Sequence, residues 1–288
     1  MLYPMQITVV KLQHPFEVGG TRIRNVRLRN LNGHDERYLA DMRSSSIPAF
    51  LQSAELLRRV AMFEDLSQGL THEAVNHLSI GDRVLLMLHL RRQILGETMH
   101  CTLDCPKCSE KMSLDILVST LVSQKAATTT ATTTAQLDNL VTSGGLYMEV
   151  KPATHLNQTL LLSNDAKSIQ AFVRACIVSC DPPLASDNEI DAAAMAFVVE
   201  QKLREMDPLA DIVFDLKCPA CGHSFDAPFD PEAFFLEEMA MRGKQLDWEV
   251  HWLAFHYHWS EESILSLSTE KRRRYIDFIN NSLSRRMQ

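Results

Sequence analysis

The chain has 288 residues, of which 45% are hydrophobic, so it is long enough to bury one large core or two ordinary ones. Its formal net charge of −7 argues against a protein that wraps nucleic acid over its whole surface. The first residues, MLYPMQITVV, contain no positively charged leader, and no apolar run reaches the length of a membrane span. We therefore expect a soluble, intracellular protein.

The first third of the chain predicts one strand followed by helices. The stretch TRIRNVRLRNLNG alternates apolar and basic residues, which indicates a strand that ends in a turn at Asn32. From residue 34 to about residue 96 the apolar spacing is helical. Ser79 and Asp82 have the spacing of a capping box at the start of the clearest helix. Residues 97–117 then alternate with period two.

Residues 124–136, QKAATTTATTTAQ, are low-complexity Thr and Ala, which predicts an exposed linker or loop. Beyond it we predict a strand at 146–150, helices at about 155–180 and 188–206, a second period-two stretch at 211–229, and four helices from residue 230 onwards. The second of these helices begins with another capping box, Ser186 to Glu189.

These elements predict an α+β fold that is mostly helical, with a small antiparallel β element formed by two hairpins. We divide the chain into four parts. They are 1–123 with the N-terminal strand, helices and first hairpin, the linker 124–136, 137–229 with helices and the second hairpin, and the helical region 230–288.

The two hairpins are predicted from a repeat, because CPKC at residues 105–108 returns as CPAC at residues 218–221. Each unit has alternating apolar residues on both sides of the turn, which is typical of two strands joined by a tight turn. The aligned apolar positions are Met99, Cys101 and Leu103 with Ile212, Phe214 and Leu216, and Met112, Leu114 and Ile116 with Phe225, Ala227 and Phe229.

Two C-x-x-C turns together supply the four thiolates of a structural zinc site. We predict one structural zinc per chain, bound by Cys105, Cys108, Cys218 and Cys221. Such a closed site leaves no position for water or substrate, so we expect no catalysis at the metal. A redox-active pair and two metal-free turns are the alternatives. A thioredoxin-type pair, however, begins a helix, and neither of these does.

The other three cysteines are predicted to be packed rather than ligating. Cys101 occupies the core position that Phe214 holds in the second hairpin. Cys176 and Cys180 lie four residues apart near the end of a predicted helix, where packing is favoured over a second metal site.

Two C-terminal features predict surfaces for protein partners. The segment HWLAFHYHW carries Trp252, Phe255 and Trp259, which favours an aromatic packing or partner surface over a histidine metal site. The run Arg272, Arg273 and Arg274 is either solvated or able to dock an acidic partner. The chain contains no phosphate loop, dinucleotide fingerprint or nucleophile elbow, so we expect a protein that is not an enzyme.

Several stretches taken together resemble a known family. They are LRNLNGHDERYLA, LSIGDRVLLMLHLRRQILG, CPKC, CPACG and HYHWSEESILSLSTEKRRRYIDFI. In this order they resemble the baseplate and hub-assembly proteins of contractile phage tails, relatives of the T-even-type baseplate hub subunit that also occur in phage-tail-like contractile injection systems. The resemblance covers most of the chain.

The resemblance implies a non-enzymatic protein that helps to build the baseplate or forms part of it. The cysteine pattern of the family maps onto the four cysteines of the two turns, and its Gly-Asp-Arg maps onto Gly81, Asp82 and Arg83. Ser109 departs from the pattern, because a glycine is expected after the first turn. The implied partners are other baseplate, hub or spike subunits, with no membrane and no small-molecule substrate.

Two other functions remain open from the sequence. The first is an assembly chaperone that acts in the cytoplasm and is absent from the finished particle, whereas a structural subunit would stay in the baseplate. The second is a zinc-ribbon module that binds nucleic acid through Lys107, Lys111 and Lys217. The acidic net charge and the lack of an aromatic stacking strand count against nucleic acid.

Overall fold

The structure is a computed structural model, which describes residues 7–42, 46–64, 68–123, 140–143, 146–163, 165–181 and 192–286. Its strands are β1 Ile7–Val18, β2 Thr21–Arg29, β3 Ala61–Phe63, β4 Thr98–Asp104, β5 Lys111–Leu117, β6 Leu140–Ser143, β7 Leu146–Val150, β8 Ile177–Asp181, β9 Ile212–Lys217 and β10 Ser224–Phe229. The predicted linker 124–136 and the capping box at Ser186 lie outside the described residues.

The helices surround these strands. They are α1 Gly33–Met42, α2 Ala49–Val60, α3 His72–His77, α4 Ile80–Leu95, α5 Val118–Ser123, α6 His155–Thr159, α7 Ala166–Cys176, α8 Ala192–Met206, α9 Pro231–Tyr257, α10 Glu261–Leu265 and α11 Thr269–Arg286. The α+β class predicted from the sequence is confirmed. Within the described residues, the helices after residue 230 number three rather than four, because α9 runs unbroken for 27 residues.

The first sheet has the order β1-β2-β3 and lies in the N-terminal part of the chain. β1 pairs antiparallel with β2 through a tight turn at Gly19 and Gly20, which both have positive φ. The sequence predicted β2 but neither β1 nor β3. The buried side chains of this sheet join those of α2 and α4 in the largest apolar core, which also contains Phe235 and Met239 of α9.

A second apolar core lies between the sheet β6-β7-β8 and the helices α7 and α8. The predicted strand 146–150 is confirmed as β7. The predicted single helix at 155–180 is wrong, because α6, a 3₁₀ turn, α7 and β8 occupy this range. The chain leaves the helix at Ile177, and β8 pairs antiparallel with β7.

Helix α4 begins at a buried polar junction that holds several elements together. The Ser79 hydroxyl accepts a hydrogen bond from the Asp82 amide, as the predicted capping box requires. The Asp82 carboxylate is directed elsewhere, because it accepts hydrogen bonds from the amides of Gln13 and His14 in β1 at 2.7 and 2.8 Å. The start of α4 therefore fixes the irregular part of β1.

Arg83 extends this junction to two further helices. Its guanidinium is fully buried and forms two hydrogen bonds with the Glu232 carboxylate of α9, at 2.8 and 2.9 Å. It also donates to the side chains of His155 and Gln158, which belong to α6. Because arginine is only a donor, Nδ1 of His155 is the acceptor and this ring is neutral.

Among the described residues, no helix is both long and apolar enough to cross a membrane.

Candidate metal centre

The two C-x-x-C turns have the same backbone structure. In the first turn the Cys105 amide donates to the carbonyl of Glu110, and the Ser109 amide donates to the carbonyl of Cys105, both at 2.9 Å. In the second, Cys218 pairs with His223 and Gly222 with Cys218 at the same distance. The repeat in the sequence is therefore also a repeat in the hydrogen bonds that shape each turn.

The serine that departs from the repeat adopts the same backbone conformation as the glycine. Ser109 has φ +58° and Gly222 has φ +72°, so both lie in the left-handed region that tight turns require. The sequence left the geometry of the first turn in doubt because of this serine. The structure shows that the turn is conserved in shape, with a side chain at a position that favours glycine.

The strands on either side of the turns pair as the repeat predicts. β4 and β5 are antiparallel with Cys101 opposite Leu114, and β9 and β10 are antiparallel with Phe214 opposite Ala227. Each hairpin is a separate two-stranded sheet. Their apolar rows pack against the main core, which fixes the direction in which each turn projects.

The turns meet, and the four sulfurs come together. All four Sγ atoms lie within 4.8 Å of one another. Two contacts join one turn to the other, with Cys105 Sγ 3.8 Å from Cys221 Sγ and Cys108 Sγ 3.7 Å from Cys218 Sγ. These residues are 116 and 110 positions apart in the chain. No other comparable group of Cys, His and acidic side chains occurs among the described residues.

This geometry fits a tetrahedral thiolate site. Zinc–sulfur bonds of about 2.3 Å place tetrahedral sulfurs about 3.8 Å apart, which agrees with these two contacts between the turns. Cys105 and Cys218 are each 1% exposed, and they pack with Met112, Leu103 and Phe225. The other two cysteines are exposed. The cluster therefore has an apolar floor and an outer side that faces solvent.

The electrostatics of the cluster favour a cation. Burial opposes ionisation of the Cys105 thiol, but amide hydrogen bonds from Cys108 and Lys107 outweigh it and lower the pKa of Cys105 to about 7. A hydrogen bond from the Glu110 amide likewise favours a lower pKa for Cys108. Hydrogen bonds with the neighbouring cysteines, of which Cys221 has the largest effect, nevertheless raise the pKa of Cys108 to about 12. Four adjacent thiols cannot all ionise unless a positive ion compensates them.

The remaining cysteines lie elsewhere. Cys101 packs against the main core, and burial raises its pKa. Cys176 ends α7 and is fully buried, and burial raises its pKa to about 11. Cys180 belongs to β8 and not to a helix, so the i, i+4 helical pair considered from the sequence does not form. Both pack in the second core.

The structure separates the residues that the sequence assigned to a partner surface. The prediction that Arg272 belongs to this surface is wrong, because its guanidinium is fully buried and donates hydrogen bonds to Glu36 and Glu249. It is therefore not available to a partner. Arg273 and Arg274 are exposed on α11. A helix turns by about 100° per residue, so an unbroken run of arginines has to divide between the core and the solvent.

The aromatic residues predicted to form a partner surface also differ in their exposure. Phe255 is 65% exposed, whereas Trp252 and Trp259 are partly buried against a small C-terminal core around Leu253. Trp259 stacks on Tyr257 with ring centroids 4.8 Å apart. The sequence assignment missed Met241 and Trp248, which are 66% and 47% exposed on the same helix as Phe255. Their spacing of seven residues is the signal that identifies them.

The comparison with family models gives one match, which covers residues 9–91. The family is described as phage tail assembly chaperone proteins, E, or 41 or 14. This part of the chain is similar to phage tail assembly chaperones. Searches of curated proteins and of solved structures found no match.

The matched segment contains most of β1 and all of β2, β3 and α1 to α3, and it ends within α4. It supports a relation to phage tail assembly, but it names chaperones and not the baseplate hub proteins that the sequence motifs resemble. It also ends before Cys105, so it carries no information on the metal centre. It includes Asp82, which accepts hydrogen bonds from β1, and Glu36 and Arg83, which form buried ion pairs with residues of α11 and α9.

Proposed function

We propose that this chain is a non-enzymatic phage tail assembly protein that binds other tail proteins, in the manner of a chaperone. The observation that carries the proposal is the similarity of residues 9–91 to tail assembly chaperones. That segment supplies the first sheet and most of the largest core, so the similarity concerns the central part of the molecule and not an appendage. A chaperone acts through binding surfaces, which agrees with the lack of a recognisable catalytic motif in the sequence.

The tail structure that we propose is the baseplate of a contractile phage tail or of a phage-tail-like injection system. The sequence motifs support this finer assignment, with hub and spike subunits as the expected partners. We propose that Arg273 and Arg274 contact acidic surfaces of these partners, and that Trp252 and Phe255 place apolar contact area of α9 in a protein–protein interface. The similarity to chaperones favours action in the cytoplasm during assembly over permanent residence in the particle.

We further propose that the four clustered cysteines bind one structural zinc. The sulfur separations, the apolar floor and the matching turns support zinc in a closed Cys₄ site. When bound, the ion supplies charge compensation and a crosslink. The chain's own contribution is to hold together two hairpins that lie far apart in the sequence, and to donate amide hydrogen bonds to the sulfurs of Cys105 and Cys108.

The assembly role is tested with the tagged full chain, expressed during assembly of the tail that it serves. We expect tail proteins to co-purify from assembling cells at a fixed ratio to the chain, and the purified particles to lack it. Particles that contain the chain in a fixed copy number would identify a structural subunit instead. Absence of tail proteins from the purified chain would contradict an assembly role of either kind.

The zinc is tested by metal analysis of three purified proteins. We expect about one zinc per chain in the parent protein, little zinc in Cys218→Ser, and full zinc in Cys101→Ser. Cys101 is the control, because it is a cysteine in β4, the strand that leads to the first turn, but lies outside the cluster. Equal loss of zinc from both variants would show that the ligands have been assigned wrongly.

A further inference from the structure

An exposed apolar stripe runs along α9 on the side that faces away from the core. Met239, Leu246 and Leu253 are buried at intervals of seven residues. Met241, Trp248 and Phe255 follow each of them by two positions, and they are 66%, 47% and 65% exposed. Two residues correspond to about 200° around a helix, so the exposed stripe is opposite the buried one.

The stripe has the spacing of a helix that packs against another helix. Apolar residues seven apart keep one side of an α-helix in contact with a partner helix, and these three span about 21 Å. Isolated exposed apolar residues are common on protein surfaces, whereas an aligned set on one helix is typical of an interface. Nothing in the described residues covers the stripe.

The two aromatic side chains of the stripe, Trp248 and Phe255, contact neighbouring rings of α9. Trp248 stacks on Trp252 with ring centroids 5.7 Å apart and an interplanar angle of 15°. Trp252 in turn meets the edge of His256 at 4.5 Å. Rings held in this way lose little conformational entropy when a partner binds, which favours association.

The spacing of the stripe is symmetric about Trp248. In an antiparallel pair of α9 helices related by a two-fold axis beside Trp248, this residue meets Trp248 of the second copy. Met241 then meets Phe255 of the second copy at both ends, and Gln245 meets His251. The pairs are an aromatic pair, two sulfur–aromatic pairs and two pairs of polar side chains, so each exposed apolar side chain finds an apolar counterpart.

The polar residues at the two ends of the stripe agree with this arrangement, because a carboxylate can accept a hydrogen bond from an imidazole. Glu237 is exposed just before the stripe, and His258 is exposed just after it. An antiparallel pair places Glu237 of one copy near His258 of the other, whereas a parallel pair places the two Glu237 carboxylates together. The residues of the stripe itself carry no formal charge, so neither a strongly acidic nor a strongly basic helix finds complementary charges there.

We propose that α9 is a self-association surface, on which two copies of this chain pair antiparallel across Trp248. The inference rests on the proposed function only in taking the aromatic side of α9 as a surface that binds protein, and it names a second copy as the partner. An interface of two heptads is short, so we expect the dimer to dissociate when the protein is diluted.

The first experiment measures the mass of the full chain by sedimentation over a range of concentrations. We expect the parent chain to reach the mass of a dimer, and Trp248→Glu to raise the dissociation constant by about tenfold or more. Phe278→Glu is the matched control, because this aromatic residue of α11 is similarly exposed at 53% and lies outside the stripe. A parent chain that remains monomeric, or equal weakening by both variants, overturns the proposal.

The second experiment tests the geometry by oxidative crosslinking, with the parent chain as the background for its native cysteines. Trp248→Cys alone should form a crosslinked dimer. Met241→Cys and Phe255→Cys should not crosslink singly, but the double variant should. Self-crosslinking of Met241→Cys would show a parallel pair and overturn the arrangement. Co-purification of tail proteins is read separately, so self-association and the assembly role can fail independently.

Discussion

At the scale of single residues, the most informative side chain is Arg272. It donates to Glu249 at 2.8 Å and to Glu36 at 2.7 Å, and both carboxylates are 1% exposed. Arg242 lies 3.9 Å from the second oxygen of Glu36, so two buried arginines balance two buried glutamates. Buried ion pairs add little net stability when complete, but they are costly when one member is removed.

We therefore expect Arg272→Met to destabilise the protein by about 3–5 kcal/mol, because Glu249 loses its guanidinium and Glu36 keeps only the more distant one. Arg274→Met is the matched control in the same helix. Arg274 is exposed and pairs with Glu270 one turn away, so we expect a change of about 0.5 kcal/mol or less. Denaturant unfolding monitored by circular dichroism measures both. Equal effects would contradict the buried role of Arg272.

His155 predicts a dependence of stability on pH. Burial, assisted by the nearby Arg83 guanidinium, lowers the pKa of His155 to about 4. The unfolded imidazole binds a proton near pH 6.5 and the folded one does not, so stability is lost as the pH falls from about 6.5 to about 4. Burial also lowers the pKa of His89 to about 4, so two histidines act in this window.

We expect His155→Gln to reduce the slope of unfolding free energy against pH by about 1.4 kcal/mol per pH unit, which corresponds to one proton. His100→Gln is the control, because His100 is exposed beside Asp115. Unfolding titrations between pH 4 and pH 7 measure this slope. A loss of stability in the variant that is the same at every pH does not change it. An unchanged slope would mean that His155 is protonated in the folded protein.

At the scale of elements, the sequence predicts those with a local signal and misses those that depend on distant partners. The two hairpins are predictable because C-P-x-C marks the turn and period-two alternation marks both strands. β3 has only three residues and exists because it pairs with β2, and β8 pairs with β7 in the same way. Such pairing is decided by tertiary contacts that a local pattern does not contain.

Helix α4 shows what a local motif can and cannot predict. Its start at Ser79 was predictable from the capping pattern, but the contacts of its first turn were not. The Asp207 carboxylate accepts a hydrogen bond from the Gly81 amide at 2.8 Å, and its nearest oxygen lies 1.8 Å from the place of a β-carbon on Gly81. Glycine at this position is required by a residue 126 positions later.

We expect Gly81→Ala to destabilise the protein by about 1–3 kcal/mol, because Asp207 has to move from the start of α4. Gly69→Ala is the matched control. A β-carbon there meets only backbone oxygens at 3.8 and 3.9 Å, so the change should stay within about 0.5 kcal/mol. Thermal unfolding of the two variants decides the matter. A tolerated Gly81→Ala would show that Asp207 does not occupy this position.

At the scale of the whole molecule, the stretches that carry the family resemblance contact one another. The Gly33 amide donates to the carbonyl of Leu267 at 3.3 Å, and His34 lies 3.2 Å from Glu262. Arg83 joins α4 to α9. The sequence could indicate that these motifs matter, and it could predict the four-cysteine group from the repeat. It could not show that the first and the last of these stretches lie against each other, because they are far apart in the chain.

Removal of the proposed zinc should loosen the molecule in a defined order. We expect a strong chelator to lower the unfolding temperature by about 5 °C or more, because metal binding adds to the stability of the folded state. Hydrogen exchange should increase first in β4, β5, β9 and β10. The Cys218→Ser variant, which lacks a ligand, should not respond to the chelator. An equal response of parent and variant would show that the chelator does not act by removing metal from the four cysteines.

The contact between Glu36 and Arg272 also constrains how the protein is made. The two residues are 236 positions apart, so a ribosome that adds about 5–20 residues per second separates their synthesis by roughly 10–50 seconds. For most of that interval the nascent α1 lacks α9, the helix on which it packs, and for all of it α1 lacks Arg272. Translation, rather than collapse of the N-terminal half, therefore determines when this part of the protein can reach its final packing.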